Sequence, residues 1–456
     1  MSYALFCCEN AEDHYERGKE LSSQGLYVEA IREYRQAVAL DQKYAEPLNN
    51  IGASYYHMEL YDSSLYYYNK AIQIVPQYSR AWNNKGMVFE RFEEYDSALE
   101  CYRKSIHYFD LPAAYFNRGD LNLKLGKNEA ALLDINETIA LGFREAKCYE
   151  RLGTIKFNLG DLQGALNAYN ESIRIDSLYE YSYRHRASLK YELEDLEGAF
   201  EDIAKAIELN PGNIKNWLER VRLLKKEKEY EQAISDLNEV LVRDSLYQQA
   251  YIARAESNVF LTNYDDALTD ALKGSELNTT PYNLNLIGII LIRLGKFQEA
   301  IEYYDRAISM DRMRSKSYLN RAMAHGKMNK YAMALADLDK AKSLGLSEYN
   351  ILGEKIEMNV ITELIGNVII FKKQLKNQKE YDIFFDGFMS IVFNDYSTGR
   401  SMIDEAYNMD RDNYLINYFL GIIEMHIGDK NPCQYFEKAA ESNWEFTLET
   451  YAEQCG

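Results

Sequence analysis

The sequence predicts an all-α fold, a solenoid built from stacked antiparallel helix pairs. Short amphipathic stretches recur about every 34 residues along most of the chain, a period typical of helical repeats. Small residues occupy the same places in every copy, and proline is scarce, with six among 456 residues. Because one helix pair cannot bury its own apolar faces, each pair is expected to pack against a copy on either side.

The stretch 79–110 shows the repeating unit most clearly. It predicts two short helices joined by a turn, with Trp82 and Gly86 on the first helix and Ala98 and Tyr102 on the second. Gly86 and Ala98 are expected to let the two helix backbones approach closely, ridge into groove. The larger side chains of Trp82 and Tyr102 then fill the space around that contact.

The same pattern appears ten times. The small or compact residue of the first helix recurs as Gly18, Gly52, Gly86, Gly119, Gly153, Ala187, Val221, Ala255, Gly288 and Ala322. A small residue of the second helix follows each of these as Ala30, Ser64, Ala98, Ala131, Ala165, Ala199, Ala233, Ala267, Ala300 and Ala334. From Ala11 to about Leu346 the chain therefore resembles the tetratricopeptide repeat (TPR) family. The resemblance implies a TPR alpha-solenoid, a right-handed superhelix whose first helices line a concave groove that binds a peptide or a partner segment.

The expected organisation follows from where this pattern is strong, weak or absent. After Leu346, apolar residues continue at helical spacing, but the turn between paired helices is lost. A long helix and a degenerate repeat are both open for that stretch, and a hinge or dimer helix is a further possible role. The predicted parts are a lead-in at 1–10, ten tandem units at 11–346, the long helix or degenerate repeat at 347–379, two degenerate units at 380–442 and a capping helix at 443–456.

Composition excludes several classes of partner. The net charge of −19 argues against nonspecific nucleic-acid binding, because a basic surface is needed to neutralise phosphates. We therefore expect no nucleic-acid partner. No apolar run reaches the length needed to cross a bilayer, so we do not expect membrane insertion either. The six cysteines are scattered, and a large helical chain needs no disulfide. We therefore expect a reducing, cytoplasmic location, with a truncated export signal at the N-terminus as the alternative.

No catalytic motif is recognisable in the sequence. The six histidines lie in different units, and there is no nucleophile elbow, zinc-binding box or dinucleotide fingerprint. We expect no catalytic residue, no cofactor and no metal. The resemblance implies a non-enzymatic scaffold or adaptor for a protein or peptide partner. The alternatives are a regulator whose region 347–456 mediates dimerisation or switching and, less favoured, an enzyme accessory subunit.

Asparagines form the first candidate site. The groove position two residues before the small residue is asparagine in three consecutive units, and the resemblance implies that such a row can hold a peptide backbone. An amide offers both a donor and an acceptor, so it can pair with any backbone. The alternative is that these side chains are only solvated. The candidate residues are Asn49, Asn50, Asn83, Asn84, Asn117 and Asn320.

Two further candidate sites differ in their chemistry. A basic cluster on the first helices of units five to seven is a candidate receptor for a carboxylate, unless its members pair with nearby glutamates. An apolar spot at Ile289 and Ile292 is a candidate protein contact, and burial by the next helix is an equally favoured alternative. The basic candidates are Lys147, Arg151, Arg184, Lys215 and Arg222.

Overall fold

The computed structural model of the chain contains ten consecutive helix pairs, so the predicted all-α solenoid class is confirmed. The structure describes residues 10–328, 330–346, 348–351, 354–357, 396–409, 411–413, 416–418, 420–421 and 431–441, together with residues 383, 387 and 455. The ten pairs are α1 Ala11–Ser23 and α2 Tyr27–Leu40, α3 Ala45–His57 and α4 Tyr61–Ile74, α5 Ser79–Arg91 and α6 Tyr95–Tyr108, α7 Pro112–Lys124 and α8 Asn128–Ala140, α9 Ala146–Asn158 and α10 Leu162–Ile175, α11 Glu180–Glu192 and α12 Leu196–Leu209, α13 Ile214–Lys226 and α14 Tyr230–Arg243, α15 Gln248–Phe260 and α16 Tyr264–Leu277, α17 Pro281–Arg293 and α18 Phe297–Met310, and α19 Ser315–Lys327 and α20 Tyr331–Ser343.

Local sequence explains where helices begin and turn. The side-chain oxygen of Asn10 accepts from the backbone N–H of Asp13 at 3.0 Å, and the carboxylate of Asp13 accepts from the N–H of Asn10 at 2.9 Å, a capping box that starts α1. Between paired helices, Gly126 takes a left-handed φ of 72°, which ends the first helix. At five other turns a residue with a side chain takes this conformation: Glu59, Glu93, Glu194, Lys228 and Thr262.

A glycine beneath an aromatic ring marks the closest approach of paired helices. A Cβ atom added to Gly86 would lie 2.6 Å from a ring carbon of Tyr102, and that ring is fully buried. Ala98, the close neighbour expected from the sequence, is also buried, but the Tyr102 ring is what requires the glycine. The contact recurs at Gly18–Tyr34, Gly52–Tyr68, Gly153–Tyr169, Gly288–Tyr304 and Gly421–Phe436.

Units whose first helix lacks this glycine have no aromatic residue at the facing position. At the same offset, Ala187 is followed by Ile203 and Ala255 by Ala271, and all four residues are buried. In these pairs an added methyl group on one helix is matched by a smaller side chain on the other, as close packing requires. The remaining such pairs are Val221–Leu237 and Ala322–Leu338.

The chain divides inside α13 into two compact units, 1–223 and 224–456. In the N-terminal unit, the first helices α1, α3, α5, α7, α9 and α11 contact one another in order. The second helices α2, α4, α6, α8 and α10 also pack on the first helix that follows each of them. Buried residues bridge successive pairs there, among them Tyr34, Ile51 and Ala81. In the C-terminal unit the first helices α15, α17 and α19 are in contact in the same way.

A short hairpin follows the helix pairs. Strand β1 Glu348–Ile351 pairs antiparallel with β2 Glu354–Glu357, with Ile351 opposite Glu354. The long helix predicted for 347–379 is therefore wrong for these two segments. Polar and apolar residues alternate in β1, and only two residues, one of them Gly353, separate the strands, a combination that favours a hairpin. Residues 358–379 lie outside the described part of the chain.

Two more helices belong to the C-terminal unit, α21 Tyr396–Met409 and α22 Cys433–Ala440. A disulfide joins Cys433, at the start of α22, to Cys455, with their Cα atoms 5.6 Å apart. The sequence analysis expected no disulfide, and this prediction was wrong. Residue spacing does not reveal which cysteines folding brings together. Of the predicted capping helix at 443–456, only residue 455 lies within the described residues.

We predict that Gly86→Ala destabilises the chain. Alanine is favoured over glycine in a helix by about 1 kcal/mol, but its methyl group would overlap the buried Tyr102 ring, and overpacking of this kind costs about 1–3 kcal/mol. A net loss of unfolding free energy in urea is the expected result. The double variant Gly86→Ala with Tyr102→Leu, which copies the Ala322–Leu338 pair, should recover part of that loss. A stabilised Gly86→Ala variant would contradict this packing.

We also predict that reduction of the disulfide loosens α22. Closing a loop of 22 residues is worth about 3 kcal/mol through chain entropy. Amide hydrogen exchange in Cys433–Ala440 should therefore become roughly a hundredfold faster on reduction, while exchange in α3 stays unchanged. In the Cys433→Ser variant, added reductant should have no further effect. Free thiols at both positions in an oxidised, unreduced sample would show that the bridge does not form.

Candidate functional site

The candidate residues lie on consecutive first helices, and we call the surface formed by α1, α3, α5, α7, α9 and α11 the first-helix face. These helices contact one another in order within the N-terminal unit. Because the packing of each pair repeats, equivalent positions of neighbouring first helices come side by side. Side chains about one repeat apart can therefore hydrogen-bond directly.

The asparagines form one connected chain of amides across α3, α5 and α7. The Nδ2 of Asn117 donates to Oδ1 of Asn83 at 3.0 Å, and Nδ2 of Asn84 donates to Oδ1 of Asn49 at 3.1 Å. Both bonds link one first helix to the next. The structure therefore brings together all the asparagines predicted in the N-terminal unit, and we call Asn49, Asn50, Asn83, Asn84 and Asn117 the asparagine chain.

Bonds between sequence neighbours complete this chain. Asn83 donates to Oδ1 of Asn84 at 3.3 Å, and Asn49 donates to Oδ1 of Asn50 at 3.2 Å. Asn50 in turn donates to the hydroxyl of Tyr15 on α1 at 3.5 Å, a contact that the sequence analysis missed. The amides are thus oriented by one another and not merely solvated.

Burial separates the chain into an inner and an outer row. Asn49 and Asn83 are each only 5% exposed, whereas Asn50, Asn84 and Asn117 are half-buried. An amide has two N–H donors and an oxygen with two lone pairs. Asn84 and Asn117 each use one N–H within the chain, so each retains a second N–H that can be offered to a ligand, whereas Asn50 donates to the hydroxyl of Tyr15.

Asn320 belongs to a separate group in the C-terminal unit. Its Nδ2 donates to Oδ1 of Asn285 at 3.4 Å, and Nδ2 of Asn285 donates to the buried hydroxyl of Ser317 at 2.7 Å. Asn285 and Ser317 are both buried. Neither residue was predicted from the sequence.

Three of the five basic candidates have carboxylate partners. Lys147 lies 2.9 Å from Glu145, and Arg222 lies 2.6 Å from Glu219. Arg151 pairs with Asp120 of α7 and with Glu150, whose Oε2 lies 2.5 Å from its Nη1. For Lys147, Arg151 and Arg222, the alternative of pairing with neighbouring acids is the one that the structure shows.

The other two basic candidates, Arg184 and Lys215, have no carboxylate within 4 Å among the described residues. Nη1 of Arg184 donates to Oδ1 of Asn216 at 3.4 Å, and its Nη2 lies 3.1 Å from Nε2 of His185. The guanidinium is half-buried, while Lys215 is exposed. Burial lowers the pKa of Arg184, although more distant acids such as Glu150 partly offset the effect.

A buried acid, which was not among the candidate residues, contacts His185. Glu150 is fully buried, and its Oε1 lies 2.6 Å from Nδ1 of His185 and accepts from the hydroxyl of Thr154 at 3.1 Å. Burial alone would raise the pKa of Glu150, but the hydrogen bond from His185 and the positive charge of Arg151 bring it below its ordinary value. No spacing in the sequence signals this contact.

A repeated ion pair between an arginine of the first helix and an aspartate of the second helix was also missed. In Arg186–Asp202, Nε donates to one carboxylate oxygen and Nη2 to the other, each at 2.7 Å. This fork geometry is the strong form of the interaction. The signal was an arginine directly before the small residue and an aspartate sixteen positions later, a pattern found in units four, six, seven, eight and ten. Further ion pairs of this kind are Arg118–Asp134, Arg254–Asp270 and Arg321–Asp337.

Both residues of the apolar spot, Ile289 and Ile292, are half-buried. Ile292 packs against a buried cluster that includes Ile287 and Tyr304, so part of its side chain is covered within the chain. The nearby hydroxyl of Tyr304 is buried and has no hydrogen-bond partner among the residues that the structure describes.

The described residues contain no group of three or more histidine, cysteine, aspartate or glutamate side chains that could hold a metal ion. Within that same part of the chain, no helix combines the length and apolar character that crossing a membrane requires.

Models of the tetratricopeptide repeat match much of the chain. The matched residues are 10–58, 43–110, 80–142, 146–177, 281–312 and 315–344. A protein described as an NADPH oxidase activator, from Dictyostelium discoideum, is 36% identical over 81 residues, which are 18% of this chain. The match spans only 13% of the length of that relative.

Solved structures to which the chain is similar include two that differ in how much of it they cover. Yeast Tom70 is 16% identical, with 97% of this chain and 96% of that chain covered and a TM-score of 0.36. A tetratricopeptide repeat protein from Parabacteroides merdae is 19% identical, with 54% and 99% covered and a TM-score of 0.42. Together with the recurring helix pairs, the family matches show that this chain belongs to the tetratricopeptide repeat family of protein-interaction scaffolds.

Proposed function

We propose that the chain is a non-enzymatic scaffold that binds a segment of a partner protein on the first-helix face of the N-terminal unit. The observation that supports this most directly is the asparagine chain. Its outer members, Asn50, Asn84 and Asn117, come from three consecutive first helices. A row of this kind offers hydrogen-bonding groups at repeated intervals along one face.

The chemistry of the row suits a peptide backbone. Backbone amides present one donor and one acceptor per residue, and asparagine side chains offer both. Pairing with the backbone works for many partner sequences, so side chains elsewhere must supply selectivity. Since bonds to Asn83 and Asn49 already fix the orientation of Asn117 and Asn84, less side-chain freedom is lost on binding.

The disulfide bears on where such binding takes place. Disulfides persist in oxidising compartments and are rare where thiols are kept reduced. We therefore infer from the Cys433–Cys455 bridge that the chain works in an oxidising compartment, which runs against the cytoplasmic location expected from the scattered cysteines. The regulator alternative, in which region 347–456 dimerises or switches, has no specific support among the described residues.

The test is a binding selection in which the full-length oxidised chain is the target. The library consists of random decapeptides with amidated C-termini. We predict that the triple variant Asn50→Ala, Asn84→Ala and Asn117→Ala binds the selected peptides more weakly. Each lost hydrogen bond should contribute about 1 kcal/mol, roughly a fivefold loss in affinity. Fluorescence anisotropy with labelled peptides measures the change.

A matched control is Asn167→Ala, which removes an exposed amide from the second helix α10 and should leave affinity unchanged. Circular dichroism and urea unfolding report whether the triple variant keeps its fold. Recovery of no peptide would refute the proposed function. Equal affinity of the folded triple variant and the wild type would refute the role of the asparagine chain.

A further inference from the structure

We propose that Arg184 is the receptor for a carboxylate of the bound partner segment, held in position by His185. This inference rests on the proposed function and adds the charge that the first-helix face selects. The guanidinium lies on α11, two first helices beyond the end of the asparagine chain on α7. A partner segment running along the face would meet the amides first and this cation next.

The first argument is the missing counter-ion. Lys147, Arg151 and Arg222 each contact a carboxylate, at distances of 2.9 Å or less. The guanidinium of Arg184 contacts only neutral groups among the described residues. These are the amide of Asn216, the ring of His185 and the face of the Tyr181 ring, whose centroid lies 5.1 Å away. Taking a charge out of water is costly unless an opposite charge compensates. A carboxylate from a partner should therefore gain the most binding free energy on this face beside a half-buried arginine that has no paired acid.

The second argument is orientation. Nδ1 of His185 lies 2.6 Å from the fully buried Glu150, and Nε2 lies 3.1 Å from Nη2 of Arg184. Because arginine can only donate, Nε2 must accept, and the proton of the neutral ring must therefore be on Nδ1. That proton is donated to Glu150. Glu150 therefore fixes the orientation of the imidazole through Nδ1. The Nε2 atom of the same ring then orients the guanidinium of Arg184.

The third argument counts the donors that remain. A guanidinium has five N–H groups, and the contacts with Asn216 and His185 occupy two of them. Three are left, enough for the paired N–H donors that bind both oxygens of a carboxylate. Lys215 precedes Asn216, is exposed, and has no carboxylate partner within the described residues. It adds positive charge next to the site.

The charge of the whole chain makes this site selective. With a net charge of −19, the protein repels acidic segments at long range. A carboxylate therefore binds only where its two oxygens meet a guanidinium placed to receive them. We infer a partner segment that is not strongly acidic overall but carries one carboxylate at a fixed distance from the part that contacts the asparagine chain.

The experiment extends the decapeptide selection to two libraries, one amidated and one with a free C-terminal carboxylate, both presented to the full-length oxidised chain. Wild type should enrich aspartate or glutamate at one position of the amidated library, or favour the free-acid library if the C-terminus is the ligand. Arg184→Gln should bind the selected peptides at least tenfold more weakly, the loss expected for a charge-assisted hydrogen-bonded pair. It should also lose the preference for the acid over its amide.

Two further variants make the result specific. Arg184→Lys keeps the charge but not the planar fork, so it should restore only part of the affinity. His185→Leu should weaken the acid-containing peptides and leave their amide counterparts unchanged, because the ring acts only through Arg184. Arg174→Gln removes an exposed arginine paired with Glu171 on a second helix and is the control with no expected effect.

The outcomes separate this inference from the function on which it rests. If peptides are recovered but neither library shows a preference for a carboxylate, the inference is overturned and the scaffold function stands. Equal loss of acid and amide peptides in a folded Arg184→Gln variant would also overturn it, because that loss indicates a general disturbance of the face. If neither library yields a peptide, both proposals fail.

Discussion

The fold depends on one steric constraint, the glycine that lets an aromatic ring lie between paired helices. A tyrosine ring buries about 150–250 Å², which corresponds to roughly 4–6 kcal/mol of transfer free energy at 25 cal/mol per Å². Glycine in a helix costs only about 1 kcal/mol relative to alanine. The balance therefore favours Gly86 with Tyr102, as long as no methyl group separates them. Each pair that has this contact is consequently held at a defined spacing, and the next pair can dock on it in the same way.

That regular spacing determines which polar side chains can meet. Asn117 contacts Asn83, Asn84 contacts Asn49, and Arg151 contacts Asp120, in each case across neighbouring first helices. The chemistry of the face changes along the N-terminal unit, from amides on α3, α5 and α7 to charges on α9 and α11. The same repeating backbone thus presents neutral hydrogen-bonding groups in one part and ionic groups in another. Such a change gives a bound segment a direction, because its two ends meet different surroundings.

The sequence was sufficient to predict the fold because the fold depends on periodicity. Ten copies of the spacing between Gly86 and Ala98 indicate stacked helix pairs, whatever the other residues are. The hairpin at 348–357 was missed because apolar residues such as Ile351 and Ile356 also fit helical spacing. In a short stretch, local alternation and helical periodicity cannot be told apart. The disulfide was missed for a different reason, since no local pattern connects Cys433 to Cys455.

The candidate site was predictable only in part, because equivalent positions need not have equivalent partners. Sequence position placed Arg151 and Arg184 in one basic cluster, yet Arg151 has two carboxylate partners and Arg184 has none among the described residues. The difference depends on Glu150, whose burial follows from side-chain geometry and not from spacing. His185 then separates the two charges, accepting from one and donating to the other. No linear pattern encodes such an arrangement.

Polar groups on the first-helix face therefore fall into two classes with different consequences. Where partners within the chain satisfy each other, as Asn83 and Asn117 do, the bond stabilises the packing of neighbouring helices and sets the direction of the groups that remain. Where a group is held in place but its charge is not matched, as at Arg184, the free energy that would compensate it must come from outside the chain. A scaffold needs both, because an anchor can select a partner only if the surrounding face is rigid enough to hold it at one position. The structural contacts of the asparagine chain and the unmatched charge of Arg184 are in this sense parts of one recognition surface.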